Sequence, residues 1–184
     1  MKKHAIALAA LLAATAVHAA EPQVYVSAAA GATHINLDCT GTTSCDNSDT
    51  GGKLAVGYAF GNGFSVEAGY MSFGKFRGAD NTASVSLKPT AFTLGGAYAL
   101  PLNTDWGLNV RLGLAQVKTQ ASATIGTLSG SDSQSKAKAY AGIGLTYAVS
   151  KNVKLELGFD STEAQYASAK GTLRLISLGA SFAF

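Results

Sequence analysis

Beyond the first twenty or so residues, hydrophobic positions alternate with small or polar ones. In 64–70, Phe64, Val66, Ala68 and Tyr70 alternate with Ser65, Glu67 and Gly69. Successive side chains of a strand point to opposite faces, so this segment has one apolar face and one small or polar face. In 106–115, Trp106, Leu108, Val110, Leu112 and Leu114 alternate with Gly107, Asn109, Arg111, Gly113 and Ala115. The same rhythm runs through 24–32, 53–60, 90–100, 138–149, 153–160 and 176–184, so the pattern predicts eight strands.

The connections alternate in length. Gly61-Asn62-Gly63, 101–105 and 150–152 are short and rich in Gly, Pro, Asn and Ser, which favour tight turns. The other links, roughly 33–52, 73–88, 119–135 and 161–171, are long and polar. Three short turns on one side and four long loops on the other predict an all-β, antiparallel, up-and-down meander in one domain.

Which face is wet decides the class. A soluble barrel of eight strands turns its large apolar residues inward. Here the opposite face carries Lys53, Glu67, Arg111, Lys154 and Glu156 among Gly and Ala, too small and too charged for such a core. The bulky face therefore meets lipid, the polar face fills a lumen, and closure satisfies every backbone group. Tyr58, Phe60, Phe64, Tyr98, Trp106, Tyr147, Phe182 and Phe184 fall near the short-turn end. Tyr70, Phe92 and Phe159 fall toward the loop end. Two such aromatic girdles are expected of an eight-stranded transmembrane β-barrel with four long outer loops and three short periplasmic turns.

The start of the chain reads as an address. Lys2 and Lys3 precede an apolar core from Ala5 to Val17, and Val17-His18-Ala19 supplies small residues at a cleavage site. Residues 1–19 are expected to be a secretory signal peptide and 20–184 the barrel domain. The net charge of +3 is mostly that leader, since loss of Lys2 and Lys3 leaves an excess of one, so no anionic partner is implied. Hydrophobic residues make up 47% and charged residues 14%, against about 25% charged in ordinary soluble domains. That argues against disorder and nucleic-acid binding. No later apolar run approaches the ~18 residues of a spanning helix.

The last strand, Ser177-Leu178-Gly179-Ala180-Ser181-Phe182-Ala183-Phe184, resembles the C-terminal signal of bacterial outer-membrane proteins. In that pattern Ser177, Gly179, Phe182 and Phe184 take the polar, Gly and aromatic places. The stretch 24–31 resembles the first strand of the OmpA-type and opacity-type eight-stranded barrels; 64–70 and 110–113 are similar to their third and fifth strands, with inward Glu and Arg. The resemblance covers about residues 23–184. It implies a location in the cell outer membrane, reached through the periplasm, and recognition by the barrel-assembly machinery. It also implies contact with outer-membrane lipid and lipopolysaccharide. A monomer is expected, without the periplasmic peptidoglycan-binding domain of full-length OmpA.

Candidate chemistry is sparse. Beyond the leader, His34 is the sole histidine, and with Asp38, Cys39 and Cys45 it has no zinc spacing. Some barrels of this kind modify lipid A, which needs a nucleophile or general base beside His. His34 has no such partner in sequence, so no catalytic, metal or cofactor residue is assigned and no enzyme is expected. Gly142 and Gly144 lack the strand-to-helix context of a phosphate loop and are read as packing space. Cys39 and Cys45 are the only cysteines, in a chain bound for an oxidising compartment. A disulfide in the first surface loop is expected; two independent thiols are the alternative.

The lumen is predicted to hold Lys53, Glu67, Arg111, Lys154 and Glu156, with Lys138 and Asp160 nearer the outer mouth. Arg111 is expected as a multi-donor hub for Glu67, with Glu156 as a second partner. Function is then expected in the outer loops, through adhesion to a host or surface ligand, or in envelope integrity. A small solute or ion channel is the alternative, and a lipid A-modifying enzyme the third.

Overall fold

The computed structural model describes residues 21–36, 44–79, 83–125, 128–166 and 169–184. They form β1 (Gln23–Ile35), β2 (Ser44–Asp46), β3 (Ser48–Ala59), β4 (Phe64–Ser72), β5 (Phe76–Ala79), β6 (Ala83–Pro101), β7 (Trp106–Ile125), β8 (Leu128–Ala148), β9 (Val153–Tyr166) and β10 (Ala169–Ala183). Eight of these are the staves of a closed antiparallel barrel: β1, β3, β4, β6, β7, β8, β9 and β10. The first and last staves close it, from Tyr25 opposite Ala183 to Ile35 opposite Leu173. The short β2 and β5 extend the wall at the rim, β5 pairing with β6 and β2 with β5.

Side chains built into the three tight turns set their geometry. Gly61 and Gly63 adopt φ of 81° and 88° around Asn62, which favour glycine. Asn103 Oδ1 accepts the backbone N–H groups of Asp105 and Trp106 at 2.9 and 2.8 Å. Ser150 Oγ accepts that of Val153 at 3.1 Å.

At the opposite end the strands run further than alternation predicted. The β6–β7 ladder continues to Ala83 opposite Ile125, and β7–β8 to Ile125 opposite Leu128. Most of the stretches expected as long loops are therefore wall. The reason is physical: above the membrane both sheet faces are wet, so Ser, Thr, Ala and Gln pair without hydrophobic alternation, and the period of two disappears although the strand does not.

The outward face is bulky and bare. Leu54, Val56, Leu94, Leu112, Leu114, Leu157, Ile176 and Leu178 are all exposed, a surface that only lipid covers. Aromatic pairs mark its lower edge: Tyr58 with Phe60, Phe64 with Tyr98, Trp106 with Tyr147, and Phe182 with Phe184. Tyr70, Phe92 and Phe159, all exposed, mark the upper edge.

The inward face differs from the expected uniformly polar filling. In the outer half, Ile35, Met71, Phe73, Phe76, Val117, Leu173 and Leu175 pack as a buried apolar cluster with Tyr140. Two of these aromatics come from the bend after β4. Gly74 has φ of 77°, and a Cβ there would lie 2.5 Å from Asp49 Oδ2, so a side chain is excluded on both counts. Phe73 keeps the inward phase of Met71, and its carbonyl accepts the Thr33 hydroxyl at 2.7 Å; the bend then returns Phe76 to the same face. Asp49, exposed above the belt, holds the bend from the side, accepting the N–H of Lys75 at 2.5 Å and that of Thr50 at 2.7 Å. These donors, Lys75 first, hold its carboxyl below the usual carboxylate range.

Candidate functional site: the charged lumen

Beneath the apolar cluster sits a compact group of charges from three staves. On β9, Glu156, Gly158 and Asp160 share the inward face because each is two residues from the next. Lys53 enters from β3 and Arg111 from β7. Lys53 Nζ donates to Asp160 Oδ2 at 2.7 Å and lies 3.8 Å from Glu156 Oε1. Arg111 Nη1 donates to Glu156 Oε2 at 2.9 Å, and Nη2 lies 2.8 Å from Oε1. Its Nε lies 3.5 Å from Asp160 Oδ1. The contacts of Nη2 and Nε are close enough for ion pairing but out of line for hydrogen bonds. Tyr140, on β8, donates its hydroxyl to Asp160 Oδ1 at 2.5 Å.

Burial makes this arrangement consequential. Asp160 is 0% exposed, Arg111 4% and Lys53 7%. Two cations face two carboxylates, so the group is neutral as a whole, and its charged atoms have partners in place of water. Glycines make the space. A Cβ on Gly142 would lie 2.4 Å from Asp160 Oδ1, and one on Gly144 would lie 2.7 Å from Glu156 Cδ.

Glu67 takes a different partner from the one expected. It accepts the Tyr25 hydroxyl at 2.5 Å, and that oxygen also lies 3.1 Å from Ser65 Oγ. Arg111 is thus centred on Glu156 and Asp160. The register separates Arg111 from Glu67: across β6, Arg111 lies level with Ala97 and Ser65, whereas across β8 it lies level with Gly142 and Asp160. Asp160, expected nearer the outer mouth, belongs to this central group. The alternation that put Tyr140 and Asp160 on the inward face was the available signal for their meeting; pairing required the register between β8 and β9.

Below the charges a cavity of about 350 Å³ opens toward the tight turns, lined among others by Tyr25, Glu67, Asn109, Arg111, Lys154 and Glu156. Lys154 faces it with no ion-pair partner among the described residues. Above, Lys138 reaches Glu163 at 2.5 Å and Gln165 at 2.7 Å. The β8–β9 ladder stops at Tyr140 opposite Thr162, so these contacts bridge the two walls where their backbones separate.

The remaining sequence-predicted residues lie away from the lumen charges or only border them. Ser177 is buried on the inward face of β10, and Gly179 packs against β1, where a Cβ would lie 2.4 Å from the Ala28 carbonyl. Phe182 and Phe184 lie outside, their ring centroids 5.0 Å apart, and the Phe184 N–H donates to the Val24 carbonyl at 3.0 Å. His34 is exposed at the rim, its Nδ1 3.1 Å from Ser48 Oγ. Among the described residues no cluster of His, Cys, Asp or Glu is arranged to hold a metal ion. Cys39 and the leader 1–19 fall outside the described residues; Cys45 is in β2.

Solved structures with this architecture include Ail, the attachment invasion locus protein of Yersinia pestis, at 19% identity and TM-score 0.60, covering 90% of this chain and 100% of that one. Neisserial surface protein A (NspA) is 17% identical with TM-score 0.63, over 88% of this chain and 97% of that one. The outer membrane protein OprG of Pseudomonas aeruginosa is 15% identical with TM-score 0.54, over 91% and 97%. No curated protein sequence is similar enough to count as a relative. The profile of the outer membrane protein beta-barrel domain matches residues 5–184. With that match and a closed eight-stranded barrel bared to lipid, the chain belongs to the outer membrane protein beta-barrel family and resides in the cell outer membrane.

Proposed function

We propose that this protein is a non-enzymatic barrel that works at the cell surface, through ligand contact or adhesion by its outer wall, with a structural role in the envelope. One observation carries this reading. The lumen is occupied twice over, by the Lys53–Arg111–Glu156–Asp160 group and by the apolar cluster above it, while β6, β7 and β8 extend far past the aromatic belt. A rigid wall carrying polar surface is a common setting for binding. The names of two neighbours, an attachment invasion locus protein and a surface protein, point the same way for those proteins. A deletion strain tested for adhesion and for detergent sensitivity checks it; normal adhesion together with a normal barrier would overturn it.

The lower cavity favours one second reading, a small solute or ion channel. It predicts a steady conductance of the purified barrel in a planar bilayer, and the filled lumen predicts none. We further propose cleavage of the leader after Ala19, monomeric assembly by the barrel-assembly machinery, and a Cys39–Cys45 disulfide. Non-reduced peptide mass spectrometry reads the last directly, and free thiols at both positions would refute it.

A further inference from the structure

The cavity below the charged group is closed above and open below. Its roof is the Lys53–Arg111–Glu156–Asp160 group, with the apolar cluster over it, and its lining reaches Gly61, Pro101 and Asn152 at the tight turns. A solute therefore enters and leaves on the periplasmic side. At about 350 Å³ the cavity lies at the small end of the range for ligand pockets.

Two of its charges stand outside the neutral roof. Glu67 comes from β4 and Lys154 from β9. In the order β4, β3, β1, β10, β9 they are four staves apart, which in a closed barrel of eight is the opposite wall. The Tyr25 hydroxyl donates to Glu67 Oε1 at 2.5 Å and fixes the carboxylate, whose Oε2 makes no hydrogen bond among the described residues. Lys154 has no ion-pair partner among them either, and the two do not pair with each other across the lumen. Glu21 also borders the cavity but is exposed at its mouth.

The wall between these charges is built largely of small residues, among them Ala55 and Ala183. Ser27 and Ser181 lie opposite each other across the β1–β10 seam, and Ser181 lies opposite Lys154. Neither hydroxyl makes a hydrogen bond among the described residues. A row of free hydroxyls thus leads from the Lys154 ammonium toward Tyr25, two residues from Ser27.

We propose that this cavity binds a short zwitterionic peptide taken from the periplasm, its ammonium on Glu67 and its carboxylate on Lys154. Both contacts are charge-assisted hydrogen bonds. Ser27, Ser181 and Asn109 serve the peptide group, and the alanines leave room for short side chains. A lone anion or cation would satisfy one wall and leave the other charge without a partner in a confined space. The site faces away from the outer wall, so its failure would leave a surface role untouched.

The test is an NMR titration of the refolded, isotope-labelled barrel with dialanine, N-acetyl-dialanine and dialanine amide. Dialanine should shift the amides of Ser27, Glu67 and Ser181 saturably, in the millimolar range expected for about a dozen heavy atoms, while Gly130 at the far end stays unmoved. Blocking either end of the peptide should weaken binding roughly tenfold, as expected for hydrogen bonds to charged groups. Lys154→Ala should weaken dialanine equally and no longer distinguish it from its amide, Glu67→Gln should no longer distinguish it from the acetylated form, and Lys154→Arg should keep most of the binding. Lys151→Ala, on the adjoining turn, should match wild type. Heat-modifiable migration reports that each variant is folded. Absence of saturable shifts, equal binding of both blocked peptides, or indifference to Lys154→Ala would overturn the proposal. So would equal affinity for acetate, which would make the cavity a simple anion site.

Discussion

Lys53 and Asp160 are 107 positions apart in the chain, and their side chains meet at 2.7 Å in the middle of the barrel. Asp160 also receives the Tyr140 hydroxyl and faces Arg111 Nε, so one fully buried carboxylate touches side chains from three other staves. Removing it leaves Lys53 only the 3.8 Å contact with Glu156 and gives the buried group one uncompensated positive charge. Asp160→Ala should destabilise the barrel by about 3–5 kcal/mol, the range for breaking one side of a buried pair. Lys53→Met combined with Asp160→Leu should cost less than the sum of the single changes. Urea unfolding in lipid vesicles measures both, and additive effects would show that the pair is not coupled.

Space around that carboxylate is equally specific. Gly142→Ala would place a methyl group 2.4 Å from Asp160 Oδ1, whereas a Cβ at Gly130 meets nothing within 4 Å. Gly142→Ala should lower the urea midpoint clearly, and Gly130→Ala should leave it nearly unchanged. The reverse order would contradict the packing of the lumen.

Two barriers lie in series along the barrel. The charged group is capped by Phe73, Phe76, Leu173 and Leu175, each 0–1% exposed. Arg111→Ala alone should therefore not open a steady conductance in a planar bilayer, and neither should Phe73→Ala, which costs about 3–5 kcal/mol of packing. The double variant should conduct. A stable open level in the wild-type barrel would favour the channel reading instead.

The bend between Phe73 and Phe76 is held by an ionised Asp49. Because the Lys75 and Thr50 N–H groups lower its pKa in the folded barrel, its contribution is fully present above the ordinary carboxylate range. It is lost as pH falls through the lowered value. Hydrogen exchange at the Lys75 amide should accelerate in that acidic window relative to distant amides, after correction for intrinsic rates. Asp49→Asn should show the faster exchange already at neutral pH.

Assembly should depend on the last residue. Phe184 packs edge-to-face against Phe182 and ties its N–H to the Val24 carbonyl, which secures the seam where the barrel closes. Deleting Phe184 should reduce the heat-modifiable form in outer-membrane fractions and increase periplasmic aggregate. An unchanged yield would show that closure and recognition need neither contact.

The period of two along the chain was enough to determine eight membrane-crossing strands, the lipid-facing side of each, the tight-turn end and the aromatic belts. Those properties follow from adjacent residues, because a strand reverses its face at every step whatever it pairs with. The same alternation placed Lys53, Glu67, Arg111, Lys154 and Glu156 on the inward face. It could not decide which of them meet. Contact across a closed barrel depends on the stagger between neighbouring strands, a property of the whole sheet. That stagger set Arg111 against Glu156 and Asp160, left Glu67 to Tyr25, and brought Tyr140 down onto Asp160. The apolar cluster was hidden for a related reason. Phe73 continues the inward phase of Glu67 and Met71 just past the end of β4, and Phe76, three residues on, points inward as well only because the chain bends at Gly74 between them. Strand length was hidden too: above the membrane water wets both faces, and pairing with neighbouring strands, rather than contrast between faces, keeps the chain extended.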